Sequence, residues 1–519
     1  MLSKNKLIGD LESSFYSRIN GSEYENWLYF IALKSNITTL KNRYLRFVLE
    51  KTIVKDNLST NVLTAIIDIP HTDERFPVFY SERKDMLKDF PDADVAGFVT
   101  KNRKYKAESI YKLTDTKKTE REEIIAWVSL YGWIPQIANI YPAFATYMKK
   151  YVFNCTGELS ELFTNYFDSY KRQKVSNVLE EDFLANVDEL AITSKFKQLP
   201  TREKVIENIS QENTYLLWVD ALGVEFLSLI TELANKKGLL ISVHIAQAEL
   251  PTITMYNESF FEKWNDKKRK KIEYLDDTKH DPDKSGYSYD EHNALPIHLA
   301  KELDIIVDAI ERAKIELKSR NSTKVLIASD HGASRLAVLR RKEEKYKTDE
   351  ESKIKGKYSG RCCKIFENHD LPFAITENGY LVLADYGRFK GSRAANVEVH
   401  GGASLEEVVI PIIELTLKND EIVIEMLDED KGIPVDRNKG IKISLFSETP
   451  VEQVSLIVKG KRYMASPVGT NHFDIVIPDI KKVEKNPIPA DVYAGGKPVK
   501  SIKIKTQSKL GNDNSDDFF

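Results

Sequence analysis

The stretch KVLIASDHGASRLAV, Lys324 to Val338, runs an apolar strand directly into a carboxylate, an imidazole and a glycine. After Lys324 the segment VLIA carries no polar side chain, the pattern of a strand buried on both faces in the parallel sheet of an α/β domain. Sites in such sheets gather at the carboxyl ends of the strands. An unpaired carboxylate at the edge of a core costs several kcal/mol or is forced to neutralise. Asp330 and His331 therefore require a partner, either a salt bridge or a metal ion.

Upstream, the same alternation extends back to about Thr201. TYLLWVD is a strand ending on Asp220, ALGVEFLSLITELANKKG is helical, LLISVHIAQAEL is a second strand, and PIHLAKELDIIVDAIERAKIELKSR is a long helix. Strands separated by helices predict a mostly parallel sheet flanked by helices. Before this region, NWLYFIALKSNITTLKNRYLRFVLEKTIV and EREEIIAWVSLYGWIPQIANIYPAFATYMKKYV show helical spacing, while NVLTAIIDIP reads as a buried strand stopped by Pro70. Trp127, Tyr131, Trp133, Tyr141 and Tyr147 make an aromatic-rich segment, read as core rather than a docking surface. After SLEEVVIPIIELTLKND, short alternating runs divided by Gly, Pro and Asn predict a small β-sandwich. The predicted organisation is a mainly helical region over 1–205, an α/β domain over 206–418, a β-sandwich over 419–509 and an acidic, disordered tail over 510–519.

A length of 519 residues fits roughly three domains, and 42% hydrophobic with 30% charged residues is a globular composition. The net charge of −3 gives no global attraction to nucleic acid or membrane. No run approaches the ~18 apolar residues of a membrane helix, and the first residues lack a signal-peptide pattern, so a cytoplasmic protein is expected. Cys155, Cys362 and Cys363 have no CxxC spacing and read as reduced thiols. No GxxxxGK[ST] loop is present, which excludes a P-loop ATPase.

Four polar clusters fall at strand ends or in the loops after them: Asp220, the threonines of LPTITMYN (Thr252 and Thr254), Asp330 with His331, and His400 in VEVHGGASLEE. Each has a plain explanation alone. Asp220 precedes a helix and could cap it, the threonines could be loop residues, and His400 could be a satisfied core histidine. Together, carboxylate, imidazole and hydroxyl make the ligand set of a zinc or manganese site. His244 reads as core, and the basic run Lys267 to Lys271 as a solvated loop in preference to a nucleic-acid contact.

In order, WVDALG, LPTITMYN, IASDHGASRL and EVHGGASLEEVVIPIIEL closely resemble the PglZ domain of the alkaline phosphatase superfamily, over roughly residues 206 to 418. HGGASLEEVVIP is the most specific phrase. The resemblance implies an alkaline-phosphatase-like sheet with two divalent metal ions at its carboxyl edge, most simply zinc, with manganese or magnesium as alternatives. One ion would be held by Asp220, the nucleophile Thr254, Asp330 and His331. The other would be held by His400 and by a pair in KIEYLDDTKHDPDKSGYSYDEH, where Asp276 and His280 have the required spacing but Asp277 and His292 compete. TMYN after the second threonine resembles the TFPN of related phosphodiesterases and favours Thr254 over Thr252. Relatives carry D-x-x-G-D or D-x-x-G-H at the second pair, and that glycine is absent here.

By the same resemblance, Thr254 attacks phosphorus, giving a phospho-threonine that water then hydrolyses. The histidines must stay neutral, so activity should fall below about pH 6. Arg335 and Arg361 are candidates for binding phosphate oxygens. The implied function is a phosphatase or phosphodiesterase acting on nucleotide or nucleic-acid phosphates within a bacterial phage-exclusion (BREX) defence system, with a DNA methyltransferase and an ATPase among its partners. The alternative is a catalytically weak scaffold that docks such partners and keeps a structural metal site.

Overall fold

Up to residue 205 every regular element among the described residues is helical. The computed structural model describes residues 11–508 except 290–294, 320, 341, 348–359, 365–370, 391–394, 419–423, 428–430, 448–450, 452 and 470. The acidic tail and His292 thus lie outside the described residues. Local signals set several helix starts: Ser22 and Glu25 form a capping box on Glu23–Ser35, and the Asn42 side chain accepts from the Leu45 amide at 2.7 Å to cap Arg43–Lys51. The strand expected over NVLTAIIDIP is instead a helix, Leu58–Thr64, continued by a 3-10 turn, Ala65–Asp68. Leu58, Val62, Leu63, Ile66 and Ile67 are all buried. Their spacing of four, one, three and one suits one helical face, and a short apolar run does not reveal its own period. Of the aromatic segment, Trp127, Tyr141 and Tyr147 are core, while Tyr131 and Trp133 are exposed.

Four strands enter the central sheet in chain order: β1, Thr214–Val219; β2, Leu239–Gln247; β3, Arg269–Ile272; and β4, Lys324–Ala328. With the strand Val409–Leu417 they make a five-stranded sheet in the order β2, 409–417, β4, β1, β3. β3 runs parallel to β1, with Trp218 opposite Lys271 and Val219 opposite Ile272. The basic run read as a solvated loop therefore enters the sheet. Val409–Leu417 is antiparallel to β4, Ile412 facing Ala328, so the sheet is mixed. The reason is local. The Ser334 and Val399 backbones bridge, and the Gly332 amide donates to the Glu407 carbonyl, which brings the 399–408 loop to the carboxyl end of β4. A strand starting there can only run back. His244, expected in the core, stands exposed on β2 with Nε2 3.1 Å from a Glu414 carboxylate.

The helices and this sheet belong to one compact unit, residues 1–236, 241–313 and 325–415. Helix Leu159–Ser176 supplies Lys174, whose buried ammonium lies 3.1, 3.0 and 2.5 Å from carboxylates of Glu225, Glu302 and Glu398. Lys279 adds a second buried ammonium, 3.7 Å from Glu302 and 3.5 Å from Glu398. The Tyr147 hydroxyl donates to Glu225 at 2.5 Å, and His298 Nε2 meets Glu398 at 3.1 Å. Removing one member of such a cluster leaves an uncompensated buried charge, which costs about 3–5 kcal/mol.

The second unit comprises residues 237–240, 314–324 and 416–519. In it, strands 424–426, 441–447, 472–477 and 466–469 form one four-stranded antiparallel sheet, and 461–464, 454–458, 488–494 and 497–504 form another. Ile443, Leu445 and Ile475 of the first and Leu456, Val492 and Ile504 of the second share one apolar cluster. This is the two-sheet packing that the alternating runs predict.

Burial holds His298 down to a pKa of about 4, with the Glu398 hydrogen bond opposing the shift. A folded-state pKa below the unfolded one makes the unfolded chain the better proton binder between the two values. This stability is therefore full above about pH 6.5 and lost as pH falls toward 4, on the order of 3 kcal/mol. Thermal melts of His298→Asn should show a flatter pH dependence than wild type across that window. An unchanged slope would contradict the assignment.

Candidate metal centre

Each element of the candidate site delivers its residue by a recognisable local device. β1 is followed by Asp220 and β4 by Ser329, Asp330 and His331, all buried. The Asp330 backbone carbonyl accepts from the buried Arg202 guanidinium at 2.9 Å. Its carboxylate Oδ1 accepts from the Ala221 amide at 3.1 Å and the Trp218 indole at 3.3 Å. Gly332 is required by the next step: a Cβ there would stand 2.1 Å from the Glu406 carbonyl oxygen. The short helix Tyr274–His280 carries Asp276 and His280 on one face, four residues apart.

The loop carrying His400 is bound internally. Ser404 and Glu407 form a capping box on Leu405–Val408, and Glu407 also accepts from the Gly402 amide at 2.9 Å. Glu406 accepts from Ser334 Oγ and from the Tyr166 hydroxyl. The glycines and glutamates of HGGASLEE thus build the loop that presents His400.

Two ligand sets result. Asp220, Asp330 and His331 offer atoms within 4.8 Å of one another, as do Asp276, His280 and His400. The sets adjoin, because the His331 and His400 rings stack with centroids 4.2 Å apart and His280 lies 5.7 Å from His400. Thr254 faces the first set, its Oγ1 3.1 Å from Asp330 Oδ2 and 3.5 Å from His331 Nε2. Thr252 does not: its hydroxyl donates to the Gly402 carbonyl at 2.6 Å and accepts from the Gly401 amide. Asp277 turns to Lys284 at 2.8 Å, leaving Asp276 as the carboxylate beside His280 at 3.1 Å and His400 at 3.7 Å.

The donors suit cations. All three imidazoles place Nδ1 against a backbone carbonyl: His280 on Asp276 at 2.8 Å, His331 on Gly332 at 3.0 Å, His400 on Thr252 at 2.9 Å. A carbonyl can only accept, so in neutral His331 and His400 rings Nδ1 carries the proton and Nε2 holds the lone pair, the arrangement of metal-ligating histidines. His280 turns the same Nδ1 to the Asp276 carboxylate as well, which raises its pKa against the opposing effect of burial. Asp220 Oδ1 and Asp276 Oδ1 are buried without hydrogen-bond partners, one orphaned oxygen in each set. Burial and the neighbouring Asp330 and Asp276 carboxylates push Asp220 up to about 10, against the opposing Lys271. Burial, reinforced by the adjacent His331 ring, lowers His400 to about 4, so it is neutral at pH 7.

A third grouping, His298, Glu302 and Glu398, differs in kind. Lys174 already sits among its carboxylates, so an internal ammonium occupies the position a cation would take.

Arg335 and Arg361, the candidate phosphate ligands, are placed away from solvent with internal partners. Both are buried: Arg335 donates to the Val397 carbonyl at 2.6 Å and Asn177 at 2.9 Å, and Arg361 pairs with Glu407 at 2.7 Å. Sequence reasoning missed Lys271 instead. Its ammonium stands 2.7 Å from Asp220 Oδ2 and 4.0 Å from the Trp218 ring centroid, with the side chain 23% exposed. Its place opposite Trp218 is set by the β1–β3 register, which the sequence alone does not reveal.

Residues 2–131 match a family model described as Domain of unknown function (DUF7863), and residues 422–509 match one described as Domain of unknown function (DUF7862). Every residue of the two ligand sets lies between the matched segments. No curated protein matches the chain.

Metal-stripped protein should melt at a higher temperature when zinc or manganese is added, by about 2.7 kcal/mol of added stability at one hundred times the dissociation constant per site. Asp220→Asn and Asp276→Asn should each remove part of this increment. Equal increments in wild type and both variants, measured by calorimetry, would place the cations elsewhere.

Proposed function

We propose that this chain is a metal-dependent phosphoric ester hydrolase, a phosphatase or phosphodiesterase of the PglZ type, with Thr254 as nucleophile. The observation that carries the reading is the placement of the Thr254 hydroxyl against Asp330 and His331, beside two adjoining carboxylate–imidazole sets that each hold one orphaned carboxylate oxygen. Asp220, Asp330, His331 and Thr254 would hold one divalent ion, and Asp276, His280 and His400 the other. Bound zinc, manganese or magnesium would supply Lewis-acid stabilisation for the threonine alkoxide and the phosphoryl oxygens.

The chain's own part follows from its geometry. The Thr254 hydroxyl donates to Asp330 Oδ2, which fixes the direction of its lone pairs and gives its proton an acceptor. Thr254 Oγ1 attacks phosphorus, the ester oxygen departs with the alcohol, and water cleaves the resulting phospho-threonine. Lys271 is the partly exposed cation beside the site and offers positive charge to an incoming phosphate. The resemblance to PglZ points further to nucleotide or nucleic-acid phosphates, a cytoplasmic location and a place in a phage-defence assembly with a methyltransferase and an ATPase. No helix among the described residues is long and apolar enough to cross a membrane. The scaffold reading is less favoured because Thr254 is present and directed at the acidic set.

The test is hydrolysis of paired chromogenic phosphate monoester and diester substrates by metal-stripped protein, restored with zinc, manganese or magnesium. Turnover should depend on the metal and fall by at least about 100-fold in Thr254→Ala, with partial activity in Thr254→Ser. Turnover that survives in Thr254→Ala would remove the threonine from the chemistry. A wild type that binds cations yet hydrolyses neither ester would favour the scaffold.

A further inference from the structure

Ala221, next to Asp220, has φ 58°, and it is the one fully buried member among the described non-glycine residues with positive φ. Asparagine, serine and lysine take the other such positions, partly or wholly exposed at turns and caps. An alanine in this conformation has no side-chain hydrogen bond to compensate for the steric cost, and such outliers persist only where surrounding structure enforces them. The conformation turns two successive amides onto the end of β4: Ala221 N–H reaches Asp330 Oδ1 at 3.1 Å and Leu222 N–H reaches Ser329 Oγ at 2.9 Å. The Ala221 carbonyl accepts from the Lys279 ammonium at 3.0 Å.

Lys279 is placed to enforce the turn. It is buried, its ammonium lies near Glu302 and Glu398, and its own carbonyl accepts from the Glu398 amide at 3.2 Å. It also belongs to the helix that carries Asp276 and His280. One ammonium therefore ties the element bearing one ligand set to the strained turn that orients the other. Glu302 and Glu398 are held in turn by Lys174 from the N-terminal helices.

We infer that Lys279 is a positioning residue of the candidate centre, fixing the Asp220–Asp330 set against the Asp276–His280–His400 set by pinning Ala221 in its left-handed conformation. This rests on the two-cation reading above. Lys279 touches neither ligand set with its ammonium, so its effect is on preorganisation.

The measurement is divalent-cation affinity of the full chain by competition with a chromophoric chelator, using zinc and manganese, in wild type, Lys279→Met, Ala221→Gly and the double variant. Lys279→Met should bind at least about tenfold more weakly, the range found when groups that orient metal ligands are removed. Glycine adopts positive φ without penalty, so Ala221→Gly should bind like wild type and should restore most of the affinity lost in Lys279→Met. Wild-type affinity in Lys279→Met would overturn the inference, as would a loss that glycine does not recover. Should Lys279→Met fail to fold, Lys279→Met/Glu302→Gln, which preserves the charge balance, takes its place in the same cycle with the same criteria. A wild type without cation binding would defeat the two-cation reading itself and the positioning role with it. Binding by wild type that is indifferent to Lys279 would defeat the positioning role alone.

Discussion

Three buried aspartates, Asp220, Asp276 and Asp330, stand together with three imidazoles and one ammonium, Lys271, as their charge partners. Carboxylates brought together in a low-dielectric interior each raise the cost of ionising the next. Here the result is visible in Asp220, which burial and its two acidic neighbours push up to about 10, and in the orphaned oxygens of Asp220 and Asp276. The same chain solves the same problem differently nearby. Glu225, Glu302 and Glu398 also converge out of water, but Lys174 and Lys279 are inserted among them. That acidic cluster carries two internal ammoniums. The aspartate cluster has one, Lys271 on Asp220 at its partly exposed edge, together with imidazoles and a hydroxyl, and divalent ions from solution would complete it.

Much of the remaining structure serves to hold that arrangement. Arg202 fixes the backbone after β4, Trp218 and Ala221 fix the Asp330 carboxylate, and Glu407 fixes the glycine loop beneath His400. The N-terminal helices take part directly. Tyr166 reaches Glu406, the Tyr170 hydroxyl accepts from the Arg335 amide, and Lys174 anchors the glutamates that hold Lys279. This explains why the helical region and the sheet form one compact unit: charged and hydroxyl groups from the helices satisfy buried groups that the sheet domain cannot satisfy alone.

Residues at strand ends were legible in the sequence, because an apolar strand that stops on a carboxylate leaves a polar group needing an explanation. Asp220, Asp330 and His331 stand where VD and SDH place them. The threonine and aspartate ambiguities needed coordinates. Thr252 and Thr254 differ only in which way the backbone turns them, as do Asp276 and Asp277. Charge patterns misled where burial was decisive: Arg335 and Arg361 looked like anion ligands and are internal, whereas Lys271 lay hidden in a run that resembled a solvated loop. The strained Ala221 leaves no trace in composition or spacing, since its conformation is imposed by Lys279, far along the chain. Strand direction at 409–417 was equally invisible, being set by where the preceding loop docks.

Whether the aspartate cluster holds two cations is measured most directly by stoichiometry. Metal-stripped full-length protein is dialysed against zinc or manganese at pH 7.5 and analysed for bound metal per chain, alongside a variant carrying Asp220→Asn and Asp276→Asn together. Two ions per wild-type chain are expected, and none held at comparable affinity by the double variant. No bound ion in the wild type, or two ions in both proteins, would contradict a two-cation site there.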